Sequence, residues 1–106
     1  MSIVALSGWG AYRSNAGSTR DVLATVYGNT LAIQAEPAWE FREQADVVVV
    51  NLGTNDFATT PGPSEAEFKG PFSALLATIR EKHPDAWIYC VIGPLLYGAG
   101  LSDATT

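Results

Sequence analysis

A cluster of small polar residues follows the most apolar stretch of this chain, and its side chains are of kinds that bind anions. Residues 47–52 read VVVVNL, and Gly53 then leads into Thr54, Asn55 and Asp56. A side-chain amide such as that of Asn55 can donate a hydrogen bond to a developing oxyanion, and one such donor contributes roughly 3 kcal/mol in acyl transfer. Asn and Asp are equally common where strands end, because they form turns with their own backbone. On chemistry alone, both interpretations stay open.

Three apolar segments predict the strands that would position these groups. They lie at residues 2–6, 46–52 and 86–92 and read SIVAL, DVVVVNL and AWIYCVI. The runs lack the polar alternation of half-exposed strands, which is typical of parallel strands buried on both faces. Because ligands collect at the carboxyl ends of parallel strands, the loops after these segments should share one edge of the sheet. A glycine opens each loop, at Gly8, Gly53 and Gly93. The Gly8 N–H is therefore a second candidate donor beside Asn55.

Helical patterns are predicted between the first two strands. Residues 18–28 place apolar side chains on one helical face, with a serine or threonine N-cap at the start and a glycine at the end. Residues 30–44 are ambiguous, and Pro37 would lie in the first turn of a short helix that carries Trp39 and Phe41 inward.

A further helix is predicted between the second and third strands. Ser64 and Glu67 have the spacing of a capping box, which predicts a helix through Arg80. Pro71 interrupts this pattern, so a helix that begins only there is the alternative. Strands alternating with helices predict an α/β fold, a three-layer α/β/α sandwich around a parallel sheet. With 106 residues the chain forms at most one domain.

The composition excludes several classes of function. A formal net charge of -5 argues against binding to nucleic acid or to an anionic membrane surface, since both are themselves negative. No apolar run approaches the roughly 18 residues that span a bilayer. A single cysteine excludes an internal disulfide and a cysteine-based zinc site. The acidic residues are scattered and no phosphate-binding loop occurs, so we expect no metal and no cofactor.

The stretch VVNLGTNDF at residues 49–57 resembles the third sequence block of the SGNH (GDSL-type) hydrolases. Residues 7–17, 37–41 and 79–96 extend the resemblance, which is closest to the catalytic domain of family 2 carbohydrate esterases that deacetylate plant polysaccharides. The resemblance covers nearly the whole chain and implies the SGNH, flavodoxin-like fold. By this resemblance Asn55 and Gly8 are oxyanion-hole donors, with Gly10 a weaker candidate than Gly8.

The same resemblance implies residues that support and surround the site. Gly53 would form the turn that presents the third block. Trp9, Tyr12 and Asp56 would contact the substrate, an acetylated polysaccharide or oligosaccharide. Aromatic residues more often cover a core, so a packing role for Trp9 and Tyr12 stays open.

Two blocks of the family pattern are missing from residues 1–106. There is no Gly-Asp-Ser block for the serine nucleophile, and no Asp and His pair a few residues apart near the C-terminus. We therefore expect an interior fragment that is inactive alone, from a parent that the resemblance implies is secreted. Because the strand with the nucleophile lies between the first two strands in this family, those two strands would either pair directly or leave an unpaired gap in the sheet.

His83 is the single histidine, and it precedes the third strand rather than following one. It would therefore lie at the amino edge of the sheet, one strand length from Asn55, as a solvent-facing residue or one that interacts with the helix dipole.

The alternative function is a non-catalytic carbohydrate-binding or interaction module with a degenerate esterase pocket.

Overall fold

The computed structural model describes residues 2–31 and 34–91, so Gly93 and the end of the third predicted strand lie outside the described residues. A short 3₁₀ helix covers Leu23–Thr25. The remaining elements are β1 (Asn29–Leu31), β2 (Gln34–Ala38), β3 (Val47–Asn51), α1 (Glu65–Lys82) and β4 (Trp87–Val91).

The strands β3 and β4 form a parallel pair, with Val47 opposite Trp87 and Asn51 opposite Val91. Helix α1 connects them and packs on one face of the pair. Val50 contacts Leu75 and Ile79 in the buried core, where branched apolar side chains are removed from water. The predicted α/β class with a parallel sheet is confirmed.

The start of α1 is fixed by the predicted capping box. The Ser64 hydroxyl accepts from the Glu67 backbone N–H at 3.1 Å, and the Glu67 carboxylate accepts from the Ser64 backbone N–H at 2.9 Å. The helix then continues through Pro71 without a break, so the alternative start at Pro71 is wrong. Proline removes a backbone hydrogen bond there, and the packing of Leu75 and Ile79 on the sheet offsets that loss.

The first predicted strand does not form. Residues 2–6 are not paired with any strand of the described residues, and 76 % of the Ile3 surface is exposed. A strand needs a neighbour to satisfy its backbone N–H and C=O groups, and no strand of the described residues pairs with this segment. Direct pairing of the first two predicted strands is therefore not seen in this part of the chain.

The predicted helix at residues 18–28 is also wrong in extent. Val22 pairs with Gly10 in an isolated parallel bridge, and the Leu23 N–H donates to the Gly10 carbonyl at 2.9 Å. This pairing holds Val22 in an extended conformation, so the chain can turn helical only from Leu23 onward.

Residues 30–44, whose pattern is ambiguous in the sequence, contain antiparallel strands and not the short helix that was one interpretation. Strands β1 and β2 pair antiparallel, and the Trp39 N–H donates to the Gly28 carbonyl at 2.7 Å. Trp39 is 44 % exposed and does not point fully inward, whereas Phe41 is half-buried and its ring packs beside Tyr27.

The sheet face opposite α1 is uncovered in the described part of the chain. Its large apolar side chains are exposed, including 60 % of Val49 and 72 % of Trp87. Parallel sheets are normally covered on both faces, so the third layer of the predicted sandwich is not seen in these residues. Within residues 2–31 and 34–91, no helix has the length and apolar character needed to cross a membrane.

Candidate functional site

Two loops meet where β3 ends, at what we call the carboxyl edge of the sheet. One is the loop at residues 8–13, and the other is the turn at residues 53–58 that follows β3. The Asn55 side-chain amide nitrogen donates to the Trp9 carbonyl oxygen at 2.7 Å. The amide of Asn55 therefore lies against the backbone that directly follows Gly8.

The Asp56 carboxylate is enclosed by the first loop. The side chain is 0 % exposed, and it accepts backbone N–H groups from Ala11 at 2.9 Å, Tyr12 at 2.6 Å and Arg13 at 2.9 Å. Hydrogen bonds to an ionised group are stronger than neutral ones, so this arrangement fixes the loop firmly. It leaves no surface for a ligand, which favours a positioning role for Asp56 over the predicted substrate contact.

Arg13 ties the same two loops together from the other side. Its Nε donates to the Asp56 carbonyl at 3.0 Å, and a terminal nitrogen donates to the Pro61 carbonyl at 2.8 Å. The sequence gives no local signal for this contact, because the partners of Arg13 lie more than 40 residues away in the chain.

Both predicted glycines have backbone conformations that other residues rarely adopt. The φ angle is +82° at Gly8 and +124° at Gly53. The Gly8 carbonyl accepts from the Asn15 N–H at 2.8 Å, and the Gly53 carbonyl accepts from the Phe57 N–H at 3.1 Å. The Gly8 N–H has no acceptor among the residues that the structure describes.

Gly10 allows the first loop to close around the carboxylate. A Cβ atom at this position would lie 2.2 Å from the Arg13 carbonyl oxygen and 2.5 Å from Oδ2 of Asp56. Both distances are far below van der Waals contact, so only glycine fits. Gly10 was a weaker candidate donor than Gly8 by the resemblance, whereas the structure places it in a tight packing contact.

Tyr12 connects the first loop to the start of α1. Its hydroxyl donates to Oε2 of Glu67 at 2.8 Å. This hydrogen bond raises the pKa of Tyr12 above its ordinary value, whereas hydrogen bonds from Ser64 and then Tyr12 lower the pKa of Glu67. Trp9 beside it is half-buried, and its carbonyl is the acceptor for Asn55.

His83 lies far from this edge. It caps the carboxyl end of α1, and its Nδ1 accepts from the Ala45 N–H at 3.2 Å, just before β3 begins. The whole of β3 lies between His83 and Asn55, a length of about 17 Å at roughly 3.3 Å per residue. The predicted position at the amino edge is confirmed, but the residue is buried rather than solvent-facing.

The described site therefore offers donors for an anion without an imidazole base. Asn55 and the Gly8 N–H can stabilise negative charge, and Asp56 and Arg13 hold their loops in place. No group of three or more metal-binding side chains occurs within the described ranges.

Comparison with known proteins identifies relatives of the chain. The model of the GDSL-like Lipase/Acylhydrolase family matches residues 2–106. Cellulase/esterase CelE of Acetivibrio thermocellus is 35% identical over 101 residues, which are 94% of this chain and 12% of that protein. An acetylxylan esterase / glucomannan deacetylase of Cellvibrio japonicus is 33% identical over 102 residues, 92% of this chain and 28% of that protein. The chain thus spans less than a third of either relative.

Two solved structures share the fold of this chain over its matched length. A family two carbohydrate esterase from Clostridium thermocellum, in complex with cellohexaose, superposes with a TM-score of 0.81 at 33% identity. The match covers 92% of this chain and 30% of that structure. The acetyl xylan esterase Est2A from Butyrivibrio proteoclasticus has a TM-score of 0.78 at 22% identity, which shows a shared fold, and covers 93% of this chain and 35% of that structure.

Proposed function

Because this chain belongs to the GDSL-like lipase/acylhydrolase family, we propose that residues 1–106 supply the oxyanion-binding half of a serine-type carbohydrate O-acetyl esterase. One observation carries the proposal, namely the 2.7 Å hydrogen bond from the Asn55 amide to the Trp9 carbonyl. It joins the two loops that hold the proposed donors.

Asn55 is the proposed side-chain donor. A primary amide has two N–H bonds, and the Trp9 carbonyl takes one of them. That hydrogen bond fixes the plane of the amide, and the second N–H is the donor for the oxyanion. A donor held in place before the reaction stabilises the developing charge without reorganisation.

The Gly8 backbone N–H is the proposed second donor. It has no acceptor within the described part of the chain, and it lies one residue before the carbonyl that Asn55 binds. Gly53 supports the turn that presents Asn55. Asp56 acts as a positioning residue, because its carboxylate holds the backbone of the loop that begins at Gly8.

The serine nucleophile and the histidine base of this proposal come from polypeptide outside residues 1–106. The support for this is the position of His83, which lies at the opposite edge from Asn55 and is engaged by the Ala45 N–H. A serine and its base must be within hydrogen-bond reach, and His83, the single histidine of the sequence, is not within reach of this edge.

The proposed substrate is an acetylated polysaccharide or oligosaccharide. Its support is the names of the relatives, one an acetylxylan esterase / glucomannan deacetylase and one a carbohydrate esterase in complex with cellohexaose. Trp9 and Tyr12, beside the donors, are the proposed sugar contacts. A non-catalytic carbohydrate-binding module is the second candidate, because the described site has donors and no base.

A chimera tests the proposed role of Asn55. Residues 1–106 would replace the matching section of the Cellvibrio japonicus relative, and hydrolysis of acetylated xylan would be measured. Asn55→Ala should lower kcat by roughly 10²–10³-fold with little change in KM. Asp85→Ala, at an exposed site on the opposite edge, is the matched control. Unchanged kcat in a folded Asn55→Ala chimera would overturn the proposal.

A sugar titration separates the second candidate from the first. Acetylated xylo-oligosaccharide would be added to the chain while tryptophan fluorescence is recorded. Saturable quenching that Trp9→Ala abolishes favours the binding module. Absence of quenching, together with an active chimera, favours the esterase half.

A further inference from the structure

The carboxylate of Glu67 joins two distant parts of the chain through its two oxygens. Oε1 accepts from the Ser64 backbone N–H at 2.9 Å, which is one half of the capping box of α1. Oε2 accepts from the Tyr12 hydroxyl at 2.8 Å, although Tyr12 lies 55 positions away in the chain. A capping box needs the first contact only. The second contact reaches the loop that holds the candidate site.

Tyr12 is held at its backbone and at the far end of its side chain. Its N–H donates to Oδ1 of Asp56 at 2.6 Å, so its backbone belongs to the closed loop. Its hydroxyl is bound to Glu67, and only two torsions separate the backbone of a tyrosine from its ring. With both ends fixed, the ring is confined to one orientation.

Glu67 is fixed well enough to serve as an anchor for Tyr12. It lies in the first turn of an 18-residue helix, which packs on the sheet through Leu75 and Ile79. An exposed glutamate is ordinarily mobile, and ordering its side chain costs conformational entropy. The Ser64 hydroxyl accepts from the Glu67 N–H at 3.1 Å, so the reciprocal capping box already restricts this side chain.

A structural link between the loop and α1 is the simpler role for this contact. The loop is already closed without it, because the buried Asp56 carboxylate accepts three backbone N–H groups and Arg13 ties the loop from the other side. Tyr12 and Glu67 also remain accessible to solvent, whereas Ala11 beside Tyr12 is 2 % exposed. An accessible aromatic side chain with a fixed orientation is a feature of ligand sites.

The ionisation of the two groups supports the same contact. Hydrogen bonds from the Ser64 backbone and then from Tyr12 lower the pKa of Glu67, so the carboxylate is charged at neutral pH. The hydrogen bond to Glu67 raises the pKa of Tyr12, so the hydroxyl keeps the proton that it donates. An ionised acceptor makes the stronger kind of hydrogen bond.

We propose that Glu67 is a positioning residue for substrate binding, which fixes the ring of Tyr12 as one wall of the sugar site in the loop that begins at Gly8. The inference rests on the proposed carbohydrate esterase function, and it makes the first turn of α1 part of substrate selection. Glu67 acts through Tyr12 and does not touch the reacting ester. Its loss should therefore change KM for a sugar ester and not kcat.

The chimera with the Cellvibrio japonicus relative tests this role. Each variant would be assayed on acetylated xylo-oligosaccharide and on p-nitrophenyl acetate. Glu67→Ala should raise KM for the oligosaccharide by about five- to tenfold, while kcat stays within about twofold. p-Nitrophenyl acetate carries no sugar, so both of its constants should change by less than about twofold.

Matched variants separate positioning from helix stability. Ser64→Ala removes the other half of the capping box and keeps the Tyr12 contact. It should lower the thermal midpoint as Glu67→Ala does, and leave KM within about twofold. Glu67→Gln keeps an oxygen for the Tyr12 hydroxyl and should restore most of the lost affinity. Tyr12→Phe should raise KM about as much as Glu67→Ala, and the double variant should show no further rise.

On the full chain, NMR relaxation of the Tyr12 ring measures its orientation without any assay of activity. In the wild type we expect little motion of this ring on the picosecond-to-nanosecond timescale. Glu67→Ala should increase the motion, whereas Ser64→Ala should not. Equal motion in all three proteins would show that Glu67 does not position the ring.

The outcomes distinguish this inference from the function on which it rests. A folded wild-type chimera that is inactive on both substrates would overturn both. In an active chimera, an unchanged KM in Glu67→Ala would overturn the role of Glu67 alone. So would an equal rise of KM in Ser64→Ala, which would reflect helix stability, or additive rises in Glu67→Ala and Tyr12→Phe, which would mean that Glu67 acts without Tyr12.

Discussion

The Asn55 amide nitrogen lies 2.7 Å from the Trp9 carbonyl oxygen, although the two residues are 46 positions apart in the chain. This hydrogen bond joins the loop after residues 2–6 to the loop after β3. It forms even though residues 2–6 are not paired with β3, because Asp56 and Arg13 hold the loops together independently of the sheet. The candidate site therefore depends on loop contacts more than on strand pairing.

Loss of the Asp56 charge should destabilise the chain. Asp56→Asn keeps the shape but puts an amide nitrogen where a carboxylate accepts three backbone N–H groups. We expect the free energy of unfolding to fall by about 2–3 kcal/mol, measured by urea denaturation. Asp85→Asn removes a carboxylate at an exposed site and should have almost no effect. If the free energy of unfolding fell equally in both variants, the positioning role of Asp56 would be contradicted.

Two glycines should respond to alanine by different amounts. Gly10→Ala places a Cβ 2.2 Å from the Arg13 carbonyl oxygen, so we expect the free energy of unfolding to fall by about 2 kcal/mol or more. Gly70→Ala lies within α1, where the helix propensity of alanine is opposed by its Cβ beside the ring of Pro71, so we expect a change below about 1 kcal/mol. Thermal unfolding of both variants measures the difference. A tolerated Gly10→Ala would mean that the loop is not closed around Asp56.

The chain alone should not hydrolyse p-nitrophenyl acetate faster than buffer. His83, the single histidine, lies at the opposite edge from Asn55, so its imidazole cannot activate a serine there. Release of p-nitrophenol by purified chain is the measurement, with heat-denatured chain as the control. Turnover that disappears in Asn55→Ala would show that residues 1–106 do contain a catalytic pair.

The sequence predicts the elements whose signals are local and misses those that depend on distant partners. The capping box at Ser64 lies within four residues, and the apolar run of β3 marks its own strand, so both are correctly predicted. The contacts of Arg13 and the close approach of Gly10 to Asp56 involve a loop more than 40 residues away, and no local pattern encodes them. Residues 2–6 have a strand's composition, but composition cannot supply the neighbouring strand that a sheet requires.

The pairing of Tyr12 with Glu67 should make stability depend on pH at both extremes. The Glu67 pKa is lowered from 4.5 by the Ser64 backbone hydrogen bond and then by Tyr12, so the contribution of this carboxylate is present above that value. It should be lost as the pH falls through the lowered pKa, because the unfolded chain binds the proton first. The Tyr12 pKa is raised above 10.0 by the Glu67 hydrogen bond, so its contribution should be lost as the pH rises through the raised value.

This dependence can be checked by measuring the thermal midpoint as a function of pH. The proteins to compare are wild type, Glu67→Gln and Tyr12→Phe. Relative to wild type, Glu67→Gln should be less stable at neutral pH, and this difference should shrink as the pH falls through the lowered pKa and the wild-type carboxylate becomes protonated. In Tyr12→Phe, the thermal midpoint should no longer fall at alkaline pH. It should still fall at acidic pH, by the part that comes from the hydrogen bond between Ser64 and Glu67. Parallel curves for all three proteins would mean that Tyr12 does not connect the loop to α1. The loop would then depend on Asp56 and Arg13 alone.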